Sequence, residues 1–308
     1  MKILVTGASG FIGRHLISTL IARGEQVVAV SRYQPAPKVN IEWKLSPELD
    51  GLTDWTALLS GCDAVVHLAG VAHRRVTDRN AYAAELQRVN VDATARLYAA
   101  ACGAGISQFI FVSSLAAVTS RSIGAVNAGT PPCPTNPYGR SKLAAEETLA
   151  ELGKQGGIPL TVLRPPVIYG AGNPGNMERI LRLIRSGLPL PFGSLHNRRS
   201  FLYVGNLCDA VHRCLVAPTP VAGTYLLSDN RDLSTSELIQ LIAKTSGRGT
   251  RLWPFPTSLW RLVSRLRPDG ATAKLVGSLY LDVTPFMNAL AWAPAFTPEQ
   301  GLHATLER

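Results

Sequence analysis

A glycine-punctuated turn, Thr6-Gly7-Ala8-Ser9-Gly10-Phe11-Ile12-Gly13, stands between a short β-rich run and an amphipathic helical pattern. Upstream lies Ile3–Thr6; downstream, Ile12, Leu16, Ile17, Leu20 and Ile21 recur at helical spacing and stop at Gly24. Glycines at such a turn let the backbone bend tightly and approach a pyrophosphate, which then rests on the free N–H groups of the helix N-terminus. The letters alone carry little, since 27 glycines in 308 residues would produce the spacing by chance about 0.2 times. Its place between strand and helix carries the argument. Gly7, Ser9, Gly10, Phe11, Ile12 and Gly13 are therefore candidate contacts to a dinucleotide.

The same strand-then-helix rhythm continues to about residue 165. Ile3–Thr6, Gln26–Val30, Ala64–Leu68, Phe109–Ser113 and Leu160–Arg164 are apolar runs of the kind that buried parallel strands require. Helical patterns lie between them near 12–23, 80–102 and 138–153, the last beginning after Asn136-Pro137. This predicts an α/β chain of the Rossmann type: a doubly wound parallel sheet with ligands at the carboxyl ends of its strands. After Arg164-Pro165-Pro166 the rhythm weakens and Pro and Gly become frequent. The expected division is residues 1–170 for the dinucleotide domain and 171–308 mainly for a smaller α/β domain. Segments near 200–220 are expected to return to the first. A later helix is announced by the capping box Ser234-Thr235-Ser236-Glu237.

Composition narrows the function classes. With 46% apolar and 17% charged residues, the chain can bury a sizeable core. No apolar run approaches the roughly 18 residues of a membrane span, and no secretory leader opens the sequence. The five scattered cysteines form no C-x-x-C, which predicts neither metal nor disulfides and fits a reducing cytoplasm. The net charge of +10 lacks the arginine-rich blocks of nucleic-acid binders and suits an anionic small substrate.

The second strand ends Val28-Ala29-Val30-Ser31-Arg32. NAD-selective sites usually place a carboxylate here for the ribose 2′-hydroxyl, and that carboxylate would repel a 2′-phosphate. Ser31 stands in its place, and Arg32, assisted by Arg14, can meet a phosphate with paired hydrogen bonds. The expected cofactor is NADP(H), with NAD as the alternative.

Tyr138-Gly139-Arg140-Ser141-Lys142 puts a phenol and an ammonium on one helix face. A phenol with a pKa of about 10 exchanges protons poorly at neutral pH. An ammonium at ~4 Å is worth about 4 kcal/mol at an effective dielectric of about 20, which would pull that pKa down toward neutrality. Tyr138 could then exchange a proton with a hydroxyl or ketone while hydride moves to or from a nicotinamide. Ser114, at the end of Phe109-Ile110-Phe111-Val112-Ser113-Ser114, is the candidate partner of the reacting oxygen, with Ser113 left to satisfy backbone groups.

The glycine loop, His67-Leu68-Ala69-Gly70, Asn90 in Arg88-Val89-Asn90-Val91-Asp92-Ala93-Thr94, the Ser113-Ser114 pair and the Tyr138/Lys142 pair occur in one order. Together they resemble the extended short-chain dehydrogenase/reductase family that includes UDP-galactose 4-epimerase, over nearly the whole chain. The resemblance implies that Leu68, Ala69, Gly70, Pro165 and Val167 border the cofactor, and that Asn90 belongs to the domain core. It implies that Lys142 holds the nicotinamide ribose. It also implies substrate contacts at His73, Ser114, Asn176 and Arg199, a UDP-sugar held by the later domain, and a homodimer through paired helices.

Sugar dehydratases of that family carry Asp-Glu directly after the serine, where this chain reads Leu115-Ala116-Ala117. Two reactions remain: 4-epimerisation with a retained NAD, or reduction of a ketone by NADPH. Ser31-Arg32 favours the reductase. Gly187-Leu188-Pro189-Leu190-Pro191, Asn197-Arg198-Arg199-Ser200 and Leu226-Leu227-Ser228-Asp229 are similar to bacterial reductases of UDP-4-keto-6-deoxy-N-acetylhexosamines in surface-polysaccharide pathways. The epimerases' Arg-x-Gly-Asp lid segment is missing. A non-enzymatic cofactor sensor on the same fold is the remaining class, disfavoured because Tyr138 and Lys142 are both present. His67 reads as a packing residue, Cys133 as inert, and 251–267 as a basic amphipathic stretch that packs on the smaller domain or touches an anionic membrane.

Overall fold

The computed structural model describes residues 1–32, 41–46, 53–72, 78–173, 177–256, 258–260 and 275–307. The chain opens with β1 (Lys2–Thr6), α1 (Phe11–Ala22), β2 (Gln26–Ser31), β3 (Ile41–Leu45), α2 (Trp55–Leu59) and β4 (Ala64–His67). It continues with α3 (Arg79–Leu86), a π-helical turn (Gln87–Asp92), α4 (Ala93–Gly103), β5 (Gln108–Val112), a 3₁₀ turn (Leu115–Ala117), α5 (Pro137–Lys154) and β6 (Leu160–Arg164). The later elements are β7 (Val167–Tyr169), α6 (Met177–Arg185), β8 (Phe201–Tyr203), α7 (Val204–Leu215), β9 (Gly223–Leu226), α8 (Thr235–Thr245), α9 (Thr284–Leu290) and α10 (Pro298–Leu306).

Seven strands form one sheet in the order β3-β2-β1-β4-β5-β6-β9, and every pair is parallel. All five expected strands lie in it, within about one residue of their expected bounds. Alternation sorts their side chains to opposite faces. Ile3, Val5, Val27, Ala29, Ile110 and Val112 meet Leu16, Leu20, Leu207 and Val211 of α1 and α7 on one side. Leu4, Val28, Val65, Phe109 and Phe111 meet Leu97, Tyr98, Ala145 and Leu149 of α4 and α5 on the other. Full burial of each such side chain contributes about 1.5–3 kcal/mol, which is why these runs read as continuously apolar.

β3 has no counterpart among the strand readings. Its Ile41-Glu42-Trp43-Lys44-Leu45 alternates polar residues because it is an edge strand, with Glu42 bridging Lys2 and Lys44 at 3.0 and 2.7 Å. β9 was equally illegible. It reaches the opposite edge from sixty residues downstream of β6, through Thr161↔Gly223 to Arg164↔Leu226. A second, two-stranded parallel sheet joins β7 to β8 beside α8 and α10. The helix expected over 80–102 is three segments, with the wide π-helical turn at Gln87–Asp92 between α3 and α4.

Strand order reverses at β1, which pairs with β2 on one side and β4 on the other. The loops leaving β1 and β4 therefore diverge at their carboxyl ends and open a crevice there. That crevice is where the glycine turn and Leu68–Ala72 face each other.

Candidate active site

The glycine turn holds its shape by excluding side chains. Gly7 adopts φ +67°, and a Cβ there would meet the Ala69 nitrogen at 2.9 Å. A Cβ on Gly13 would lie 2.3 Å from the Gly7 carbonyl oxygen, so α1 packs on its own loop only through glycine. Gly10 caps α1 with no side-chain hydrogen bond, and the first turn carries no acidic residue. Donors and dipole at this helix end are thus directed to the crevice, a fit for a pyrophosphate. Arg14 is exposed, with its guanidinium 3.2 Å from the Ser9 carbonyl oxygen. Ser31 is buried at the end of β2, and Arg32 beyond it is exposed.

At the far side of the crevice, a cavity of about 220 Å³ gathers Ile12, Leu68, Gly70, Ser114, Tyr138, Lys142 and Pro165. Ala72, Val112, Ser113, Pro166 and Ile168 complete its wall, whereas Val167 is 55% exposed and is not part of it. Asn136 caps α5 through the Gly139 N–H at 2.8 Å, with Pro137 at the first helical position. Tyr138 and Lys142 then stand one turn apart. A Cβ on Gly139 would strike the Ala116 carbonyl oxygen at 2.1 Å, so this glycine lets α5 press onto the turn that carries Ser114.

The two serines both line the cavity but have different partners. Ser113 donates to the Glu146 carboxylate rather than satisfying backbone groups, while the Ser114 hydroxyl lies beside the Tyr138 phenol and accepts from the Ala116 N–H at 3.1 Å. Lys142 is buried, donates to the Val112 carbonyl at 3.0 Å and lies 4.6 Å from the Phe111 ring centre. Burial pushes its ammonium down to about 8, with the Glu146 carboxylate opposing that fall.

The phenol of Tyr138 departs from expectation. Burial pushes it up to about 12, partly offset by the Ser114 hydrogen bond, with Tyr82 nearby adding to the rise. Desolvation of the phenolate dominates, and the Lys142 ammonium is engaged by the Val112 carbonyl and the Phe111 ring. At neutral pH Tyr138 therefore keeps its proton.

A hydrogen-bonded scaffold sits behind the cavity. Asn90, within the π-helical turn, accepts from Val71 N–H at 2.7 Å and donates to the Val71 carbonyl at 3.0 Å and to Ser141 Oγ at 2.9 Å. It ties the loop after β4 to α5. His67 is wholly enclosed, hydrogen-bonded to Thr6 at 2.6 Å and Thr94 at 2.8 Å and stacked on Phe111. Burial pushes its imidazole down to about 3, so it stays neutral and structural.

Arg199 lies in the later part of the chain and does not line this cavity. Its backbone pairs with Leu233, its guanidinium donates to the Gly277 carbonyl at 3.1 Å, and burial lowers its pKa. His73 and its neighbour Arg74, Asn176, and part of 251–267 lie outside the described residues. Glu146 and Arg164, which brace the cavity from behind, escaped sequence reading. The available signal was Glu146 four residues after Lys142, on the face of α5 that also carries Ala145 and Leu149.

A dinucleotide crevice beside a Ser, Tyr and Lys cluster is now in place, and residues 3–226 match the NAD dependent epimerase/dehydratase family. The chain belongs to that family. It is an enzyme fold of the short-chain dehydrogenase/reductase type. The chain is similar to UDP-glucose 4-epimerase of Vibrio cholerae, 30% identical over 99% of this chain and 94% of that one. It also resembles a 4-hydroxy-2-methyl-3-oxo-4-farnesyl-3,4-dihydroquinoline-1-oxide ketoreductase of Stigmatella aurantiaca, 28% identical over 99% of this chain and 95% of the relative. Among solved structures, UDP-glucuronic acid 4-epimerase from Bacillus cereus in complex with NAD shares the fold. Its TM-score is 0.79 at 23% identity, covering 99% of this chain and 96% of that one. Among the described residues no helix is long and apolar enough to cross a membrane, and no His/Cys/Asp/Glu group could hold a metal ion.

Proposed function

We propose that this family member is an NADP(H)-dependent reductase of the C4 ketone of a UDP-4-keto-6-deoxy-N-acetylhexosamine, serving surface-polysaccharide synthesis in the cytoplasm. The observation that carries the cofactor preference is the carboxyl end of β2. Ser31 is buried where a ribose-binding carboxylate would stand, and the exposed Arg32 follows it. A guanidinium there suits a 2′-phosphate by its paired donors.

Bound in the crevice, the reduced nicotinamide supplies the hydride. The chain's own residues do the rest. Ser114 hydrogen-bonds the ketone oxygen and holds it against the phenol. Tyr138, protonated at neutral pH, donates its hydroxyl proton as that oxygen gains charge, and the resulting phenolate is reprotonated from water. Lys142 holds the ribose. Ile12, Leu68, Pro165 and Ile168 line the cavity with apolar surface, which keeps water from competing for the proton. Gly7, Ser9, Gly10, Phe11, Gly13 and Arg14 cradle the dinucleotide phosphates, and Ala69, Gly70 and Val167 border it. Arg199, with His73 and Asn176, would hold the UDP part from the later domain, and the working unit is a homodimer.

The second reading is a UDP-hexose 4-epimerase with retained NAD, which the similarity to the Vibrio cholerae enzyme favours. One experiment separates them: incubate the purified protein with NADPH and a UDP-4-keto-6-deoxy sugar and follow the reduced-nicotinamide absorbance. Loss of absorbance with stoichiometric product supports the reductase. No oxidation, together with tightly bound NAD and interconversion of UDP-hexoses, decides for the epimerase.

A further inference from the structure

Two segments of the later chain are sewn together at one surface. The Leu190 N–H donates to the Arg251 carbonyl at 2.8 Å, and the Trp253 N–H returns to the Leu190 carbonyl at 2.8 Å. One side of the join is inward: Phe192 stacks on Trp260 with ring centres 5.5 Å apart, and the Trp260 indole donates to the Pro191 carbonyl at 3.0 Å. Leu188 is 66% exposed, Trp253 60% and Leu183 45%.

Charge in these segments is mostly positive. Residues 179–192 and 244–256 carry Arg179, Arg182, Arg185, Lys244, Arg248 and Arg251, all exposed, and contain no Asp or Glu. Carboxylates adjoin the segments at two places: Glu178 precedes Arg179 in α6, and Glu307 stands at the end of α10. Glu307 lines a hollow of about 320 Å³ with Arg185 and Arg248 and is paired with His303 at 3.1 Å. Single exposed apolar residues are ordinary on a protein surface. An indole and two leucines among six cations are a different composition, that of an interfacial anchor.

The dimensions favour a membrane over a protein partner. A stable protein interface buries roughly 1,200 Å² or more, and three side chains supply little of that. Shallow insertion needs only a few apolar side chains, with cations adding attraction to anionic headgroups one by one. Guanidinium groups also match lipid phosphate oxygens in pairs. We infer that this face seats the protein on an anionic membrane surface, Trp253, Leu188 and Leu183 entering the headgroup layer and the arginines engaging lipid phosphates. The inference stands on this surface alone and is independent of which sugar reaction the cavity performs.

The test is co-sedimentation of the full chain with phosphatidylglycerol-containing vesicles and with phosphatidylcholine vesicles. Binding to the first only, released by high salt, is expected. Replacing one arginine by Gln (Arg182→Gln or Arg251→Gln) should weaken binding about fivefold. Trp253→Ser and Leu188→Ser should each weaken it about tenfold, and Trp253→Phe should largely restore it. NADPH affinity, unchanged in every variant, reports that each is folded. Equal binding to both vesicle types, no binding to either, or binding indifferent to Trp253→Ser would overturn the inference. So would a self-association that Trp253→Ser abolishes without any vesicle binding, which would assign the face to a second copy of the chain.

Discussion

Glu146 and Arg164 face each other in the interior, both oxygens of the carboxylate lying 3.1 Å from the arginine Nε. Ser113 donates to the same carboxylate, and Glu146 sits one helical turn beyond Lys142. Three elements thus converge on one ion pair: the end of β5, the middle of α5 and the end of β6. Those elements carry Ser114, the Tyr138/Lys142 pair and Pro165. This buried fork ties the three elements together behind the cavity.

Removing one partner leaves the other charged and desolvated, at a cost of about 3–5 kcal/mol. Glu146→Gln should lower stability by that order in urea unfolding, whereas the double variant Glu146→Leu/Arg164→Leu should recover a large part of the loss. If the single variant proves neutral, the fork is not a brace.

Tyr138→Phe removes the donated proton while leaving the ring's packing. Turnover should fall by about 10²–10⁴-fold, with NADPH affinity changed less than threefold or so by fluorescence titration. Activity within a few-fold of the unmodified protein would sink the proton-donor role.

Arg32→Glu places a carboxylate where the 2′-phosphate is proposed to lie. The KM for NADPH should rise about tenfold to a hundredfold, the worth of a lost charge-assisted pair. The KM for NADH should stay level or fall. Equal effects on both cofactors would show that Arg32 does not read the 2′ position.

His67 gives the stability a pH dependence with a definite sign. Its folded pKa is depressed to about 3 from an ordinary 6.5, so between those values the unfolded chain binds a proton that the folded chain refuses. Stability from this residue is complete above pH ~6.5 and is lost as pH falls toward 3. Comparing His67→Asn with the unmodified protein cancels the carboxylates common to both. Unfolding measured at pH ~7 and ~5 should therefore show a smaller acid loss in the variant.

Much of this site was legible before any coordinates. Gly7, Gly10 and Gly13 between β1 and α1, and Tyr138 with Lys142 on α5, are local patterns. A tight turn depends on φ at one residue, and a shared helix face depends only on a spacing of four. Local geometry is written in adjacent residues, so sequence by itself determined five of the parallel strands, the crevice at their carboxyl ends and the placement of Tyr138 and Lys142 on one helix face.

What only the tertiary structure decided are properties set by distant chain. β9 pairs with β6 across about sixty residues, and β3 closes the other edge with an alternating, half-polar strand. Ser113 and Ser114 are chemically the same and both line the cavity; Glu146, reaching from α5, engages the Ser113 hydroxyl, and that of Ser114 is left beside the Tyr138 phenol. The phenol of Tyr138 moves up to about 12 rather than down, because the surrounding fold desolvates it while the Lys142 ammonium donates to the Val112 carbonyl. Burial is a sum over every neighbour in space, and no window of sequence contains that sum.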